Sequence, residues 1–288
     1  EAPVKFRSTE HLLAVLQRIV SQAGRRIDES SPIVDARLPD GSRVNAIIHP
    51  LAINGPLISI RRMGKTRIGV EQLLANRMFS IDVLRYLASS VRGRSSIIIS
   101  GGTGSGKTTL LNALSTFIPH NERIITIEDT AELQLQRCHV ARLEARPAGI
   151  EGTGSVGIRE LIRNALRMRP DRIIVGECRG PEAFDMLQAM NTGHAGSLST
   201  LHANSTRDAI ARIEVLVGLN SLQLSSQSIT RQIASAIDIL VHVERSADGQ
   251  RRVTQLSEVT GHQDGEVTLK DVLINTDSRA SIHSDSTH

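Results

Sequence analysis

Aromatic residues make up only 2% of this 288-residue chain, with no Trp and a single Tyr. Stacking platforms for unpaired bases are therefore scarce, which argues against a nucleic-acid motor. Cysteine is equally sparse: Cys138 and Cys178 stand far apart with no CxxC or Cys/His ligand spacing. That usage fits reduced, structural thiols better than a disulfide frame or a zinc site. No apolar run approaches the roughly 20 residues that a transmembrane helix requires, and the N-terminus lacks the apolar stretch of a signal peptide. A soluble protein with at most peripheral membrane contact is expected. Neither charge sign dominates; the formal net charge of +4 comes from interspersed residues and describes a mildly basic surface, not a polyanion-binding arm. The chain opens with Glu1 rather than Met, and its first helical pattern starts almost at once, so upstream sequence is expected to be missing.

The length suits a core of about 200 residues plus a smaller unit. Apolar residues from Leu12 to Val20 recur at helical spacing before Gly24, and three short strand patterns follow at 33–38, 43–48 and 57–61, the first two joined by Pro39-Asp40-Gly41. A small α+β domain over 1–64, a polar, glycine-containing linker at 65–69, and a second domain over 70–275 are predicted. From 80 onward strands and helices alternate, which predicts an α/β fold with a parallel sheet covered by helices on both faces. Residues 276–288 offer almost nothing to bury and are expected to be disordered.

The strongest chemical signal is Gly101-Gly102-Thr103-Gly104-Ser105-Gly106-Lys107-Thr108, which matches GxxxxGK[ST] between the apolar run Ile97-Ile98-Ile99 and a helical run beginning at Lys107. Such glycines let backbone N–H groups converge on phosphates, and the new helix directs its positive end at the same anion. Lys107 is expected to reach the β and γ oxygens, and Thr108 to bind Mg²⁺. Glu128 and Asp129 follow the strand pattern at 124–127, at the sheet edge that faces a ligand, and can hold Mg²⁺ partly through water or polarise the attacking water, which makes Glu128 a catalytic candidate as well. The strand at 173–175 delivers Glu177 to the same edge. Gly176 stands where most P-loop enzymes carry an aspartate, which leaves Glu177 to activate water. His202 ends a further strand and is placed to sense the γ-phosphate.

These motifs occur in the order found in the type II/IV secretion ATPases, which the chain resembles from about Phe6 to Leu273. The phosphate loop, from Gly101 to Thr109, is followed by the acidic box Ile127-Glu128-Asp129-Thr130-Ala131-Glu132, the aspartate-poor stretch at 170–179 and the histidine box at 192–204. Arg163-Asn164-Ala165-Leu166-Arg167-Met168-Arg169-Pro170-Asp171-Arg172 looks like the CpaF-type branch that assembles Tad (Flp) pili. The resemblance implies a RecA-like core using ATP and Mg²⁺, a homo-hexamer at the cytoplasmic face of the inner membrane, and polytopic membrane platform proteins as partners, with no nucleic acid. It also implies that Arg43 and Arg61 touch the γ-phosphate, with Arg142 and Arg146 as further candidates acting from a neighbouring subunit. Two other functions fit a P-loop: a nucleotide-dependent switch and a nucleic-acid translocase. An NKxD-type guanine reader is absent.

Overall fold

The computed structural model describes residues 5–62, 68–148, 153–220 and 224–274. Contacts divide the chain into two units, Glu1–Arg67 with Pro147–Ser155, and Ile68–Arg146 with Val156–His288. The expected tail at 276–288 and most of the expected linker lie outside the described residues.

In the first unit, helix α1 (Thr9–Gln22) starts where the Ser8 hydroxyl accepts a hydrogen bond from the His11 amide, a standard N-cap. Its buried Leu16 and Val20 pack on Val34, Ala46 and Ile48. Those residues line one face of an antiparallel sheet formed by β1 (Ile33–Arg37), β2 (Arg43–Ile47) and β3 (Leu57–Arg61). Because side chains alternate across a strand, the opposite face carries a different set. Register places Arg37 beside Arg43 and Arg43 beside Arg61, so three arginines occupy facing positions on adjacent strands. The Arg25 guanidinium donates to the Ala148 carbonyl at 2.6 Å, which helps to fix the returning segment at 147–148 in this unit.

The second unit is built on an eight-stranded sheet. Its strands are β4 (Ile97–Gly101), β5 (Ile124–Glu128), β6 (Val140–Glu144), β7 (Arg172–Val175), β8 (Leu198–Leu201), β9 (Ile239–Arg245), β10 (Arg251–Gln263) and β11 (Glu266–Ile274), in the spatial order β11-β10-β9-β4-β8-β7-β5-β6. The six from β9 to β6 run parallel; β10 and β11 extend that sheet antiparallel. Continuous apolar runs such as Ile97-Ile98-Ile99 are what a strand buried on both faces demands. Alternate residues split accordingly: Ile97 and Ile99 face α3 (Ile81–Arg92) and α4 (Lys107–Ser115). Ile98 faces α5 (Ile158–Ala165), α6 (Glu182–Asn191), α7 (Thr206–Gly218) and α8 (Ser226–Ala236).

Three elements exceed the sequence expectation: the short helix α2 (Val70–Ala75), the edge strand β6 and the final strand β11. Helix α5 runs only as far as Ala165; a single 3-10 turn follows over Leu166–Met168, and Arg169 takes φ 53° ahead of Pro170. A residue before proline is pushed out of the helical region, so the helix cannot continue there.

At the sheet edge opposite the chemistry, the fully buried Arg172 guanidinium is satisfied by the Glu122 carboxylate and by the Gly196 carbonyl at 3.1 Å. Burial opposes ionisation of Glu122, yet Arg172 and Arg94 outweigh it and hold the carboxyl below its ordinary range. A buried charge so paired is costly to break, which makes this pair a rigid base for β7.

Candidate active site

Strand β4 ends at Gly101, and the loop to α4 carries the phosphate-loop glycines. Gly101, Gly104 and Gly106 adopt φ of 153°, 71° and 103°, all in the region that favours glycine. A Cβ at Gly101 would lie 2.2 Å from the Val243 carbonyl oxygen, so strand β9 abuts the loop directly. Gly102 is different: a Cβ there would meet nothing within 4 Å. Nothing in the protein's own packing requires that glycine, whereas close approach of an anion would. Thr108 and Thr109 occupy the first turn of α4 and are partly exposed.

Lys107 is buried beneath this loop, and its Nζ donates to the carbonyls of Gly101 at 2.8 Å and Gly102 at 2.9 Å. Burial lowers its pKa, opposed by Glu177 and aided by Arg179. The same Nζ stands 3.4 Å from His202 Nδ1. His202 Nε2 lies 2.7 Å from Glu177 Oε1, an ion-pair distance that lacks the alignment of a hydrogen bond and leaves Oε1 without a hydrogen-bond partner. Burial and Lys107 push the imidazole below its usual pKa, although Glu177 and the Gly101 backbone oppose this. A neutral ring that accepts from Lys107 at Nδ1 carries its proton on Nε2, the nitrogen nearer Glu177.

The acidic residues come together because β5 and β7 are neighbours that end at the same edge. Glu128 Oε1 accepts from the amides of Glu132 at 2.9 Å and Leu133 at 2.8 Å, while its buried Oε2 has no hydrogen-bond partner. Desolvation raises the Glu128 pKa against those two hydrogen bonds and the field of Arg142. Arg179 was not singled out by the sequence, yet its guanidinium donates to Glu177 Oε2 at 2.6 Å and reaches Asp129 Oδ2 at 3.8 Å. It therefore links the exposed Asp129 to Glu177. The available signal was its position two residues after Glu177 in the same strand-end loop.

The other candidates belong to other elements. Arg43 and Arg61 belong to the first unit, where Arg37, also overlooked, joins their row. Arg142 lies on β6 in register with Thr126, and Arg146 forms the isolated bridge with Val156. His194 contacts the Ala189 carbonyl at the end of α6. Cys178 is buried against Met186 and Ser199, with its thiol pushed up to about 12 by burial, as expected of an inert, structural residue. Among the described residues no cluster of His, Cys, Asp or Glu could hold a metal on its own, and no helix is long and apolar enough to cross a membrane.

A glycine loop between a buried parallel strand and a helix, with a lysine beneath it and carboxylates on adjacent strand ends, defines a P-loop nucleotide hydrolase. The family model for type II/IV secretion system proteins matches residues 1–285. Over 260 residues the chain is 38% identical to a putative conjugal transfer protein of Mycobacterium tuberculosis, covering 88% of this chain and 73% of that one. It is 37% identical over 270 residues to the type IV secretion system protein PtlH of Bordetella pertussis, with 84% and 79% covered. Among solved structures, the VirB11 ATPase from the Brucella suis type IV secretion system, in complex with sulphate, superposes with a TM-score of 0.56 at 29% identity, covering 87% of this chain and 83% of that one. The pilus retraction motor PilT with bound ADP shares the fold, with a TM-score of 0.56 at 24% identity and coverage of 85% and 64%. The chain belongs to the type II/IV secretion system protein family, and it is an ATPase.

Proposed function

We propose that this ATPase is a motor working as a homo-hexamer on polytopic proteins at the inner face of the cytoplasmic membrane, and that it powers pilus assembly of the Tad/Flp type or a related secretion step. The observation that carries the reading is the line of contacts from Lys107 through His202 to Glu177, which joins the phosphate loop to the carboxylate at the end of β7.

On nucleotide binding, Lys107 exchanges two neutral carbonyl partners for anionic β and γ oxygens, a stronger class of hydrogen bond. That movement frees His202 Nδ1, so the imidazole registers whether a γ-phosphate is present. Glu177 takes a proton from the attacking water, and Arg179 holds the carboxylate in place through Oε2. The donor set fits Mg²⁺: the Thr108 hydroxyl can ligate it, and Glu128, whose Oε2 lacks a partner, and Asp129 can hold its water shell. When bound, the ion neutralises charge on the phosphate oxygens. The arginine row of the first unit suits a polyphosphate, and Arg43 and Arg61 are assigned the γ-phosphate.

Purified protein is expected to hydrolyse ATP with Mg²⁺, and Glu177→Gln to bind ATP with turnover lost. Retention of the wild-type rate by that variant would remove Glu177 as the base. Light scattering with and without a non-hydrolysable ATP analogue tests the ring, and a strict monomer at high concentration with nucleotide counts against it. Loss of pili in a strain carrying only Lys107→Ala, with secretion of other substrates intact, would support the pilus role; normal piliation would refute it.

A further inference from the structure

We propose that Arg251 is a positioning residue for nucleotide binding, one that holds the phosphate loop in its receptive shape from outside. Its Nε donates to the Gly104 carbonyl at 2.9 Å. A trans peptide points its C=O and its N–H in opposite directions. Fixing the Gly104 carbonyl against Arg251 therefore turns the Ser105 N–H to the opposite side, where it faces the Gly102 carbonyl within the loop.

The loop needs such a restraint. Four glycines between 101 and 106 make its backbone permissive, and glycine loses more conformational freedom on ordering than any other residue. The internal contact from Ser105 N to Gly102 O is long, at 3.4 Å. Lys107 Nζ ties down the Gly101 and Gly102 carbonyls, but at Gly104 a Cβ would meet nothing within 4 Å, so side-chain packing adds no hold there. Arg251 supplies both a hydrogen bond and a wall: its Cδ would lie 3.1 Å, and Met78 Cε 3.4 Å, from a Cβ at Gly106.

Arg251 is itself firmly placed. It begins β10 opposite Arg245 of β9, two residues from the Val253 amide, which donates to the Met78 carbonyl at 2.7 Å. Strand β9 is paired with β4 as far as Gly101 and Val243, at the first residue of the loop. The β9–β10 hairpin thus backs the phosphate loop at Gly101 through main chain and at Gly104 and Gly106 through Arg251. A pre-shaped loop binds nucleotide without the cost of ordering at the moment of binding, so the effect falls on affinity rather than on the chemical step.

This inference rests on the phosphate-loop reading, and the test separates the two. Met keeps the aliphatic stem of Arg251 without a donor, whereas Gln sets an amide nitrogen at the position of Nε without the charge. Binding of a fluorescent ADP analogue, steady-state ATP turnover and nucleotide-free melting are measured for wild type, Arg251→Met, Arg251→Gln and Lys107→Ala. Arg251→Met is expected to weaken ADP binding and raise KM for ATP about fivefold, the worth of one hydrogen bond, with kcat within about twofold and melting unchanged. Arg251→Gln is expected to restore binding to within about twofold of wild type. The brace is overturned if Arg251→Met binds as wild type, or if Arg251→Gln is as weak as Arg251→Met. Normal ADP binding by Lys107→Ala would instead overturn the phosphate-loop reading itself.

Discussion

Adding one carbon at Gly176 tests why this site lacks the aspartate that usually precedes the catalytic glutamate. A Cβ there would lie 2.8 Å from Glu128 Cγ and 3.3 Å from its Oε1. Glu128 cannot easily give way, since its Oε1 is held by the amides of Glu132 and Leu133 and the side chain is buried. The Gly176 backbone is pinned as well: its amide donates to Ile127 O at 2.8 Å and its carbonyl accepts from Thr200 Oγ1 at 2.7 Å. Overpacking of this kind costs about 1–3 kcal/mol. For a unit of this size, each kcal/mol lowers Tm by about 2–4 °C, so Gly176→Ala should melt roughly 2–12 °C below wild type.

Calorimetric melts of wild type, Gly176→Ala, Glu128→Ala and the double variant isolate the contact. Glu128→Ala is destabilising by itself because two amides lose their acceptor, and the cycle subtracts that loss. With Cγ and Oε1 gone, the added methyl has room, and its cost should fall below about 0.5 kcal/mol, the ordinary scatter of additivity between uncoupled sites. An equal cost in both backgrounds, or no cost in either, would refute the idea that Glu128 occupies the space of the missing aspartate.

Gly101→Ala should be more damaging than Gly176→Ala, by about 3 kcal/mol or more, because the added Cβ meets the Val243 carbonyl at 2.2 Å and the backbone sits at φ 153°; a normal melting curve would contradict the close packing of β9 on the loop. Glu177→Gln should lower turnover at least about 100-fold while ADP affinity stays within about twofold, checked by single-turnover assay and titration. Buried His242 contacts Ser100 Oγ at 2.9 Å and Glu244 Oε1 at 3.2 Å; burial pushes its pKa down, Glu244 and Asp208 oppose this, and Lys107 adds to it. The folded protein therefore keeps this ring neutral while the unfolded chain takes up a proton first, so stability is full above pH 6.5, the ordinary histidine value, and declines as pH falls below it. Melts between pH 5 and 8 should show a shallower decline for His242→Gln than for wild type.

The grouping of the candidate residues was legible because a parallel sheet obeys a simple rule. Apolar strands end at the same edge, so Gly101, Glu128, Glu177 and His202, each within two residues of the end of an apolar run, could be placed together. The missed elements have weaker signals. Strand β6 is a short edge strand of Val-Ala-Arg-Leu-Glu, whose charges disguise it. Strand β11 had a legible marker that was passed over: Asp264-Gly265, both at positive φ, makes a two-residue hairpin loop between Gln263 and Glu266.

What the sequence withholds is sheet order, and the two least expected features of the site depend on it. Gly176 looks like the loss of a metal-shell aspartate until β5 is seen beside β7, with Glu128 leaning across the strand end into the vacated space. The glycine is then the counterpart of Glu128, whose side chain fills the space that any side chain at 176 would need. Arg251 lies 147 positions beyond Gly104 and becomes part of the phosphate loop only because β9 pairs with β4 and turns back through β10. In both cases a residue's meaning is set by the strand next to its own, so a substitution there should be judged against the neighbouring strand end rather than against the local motif.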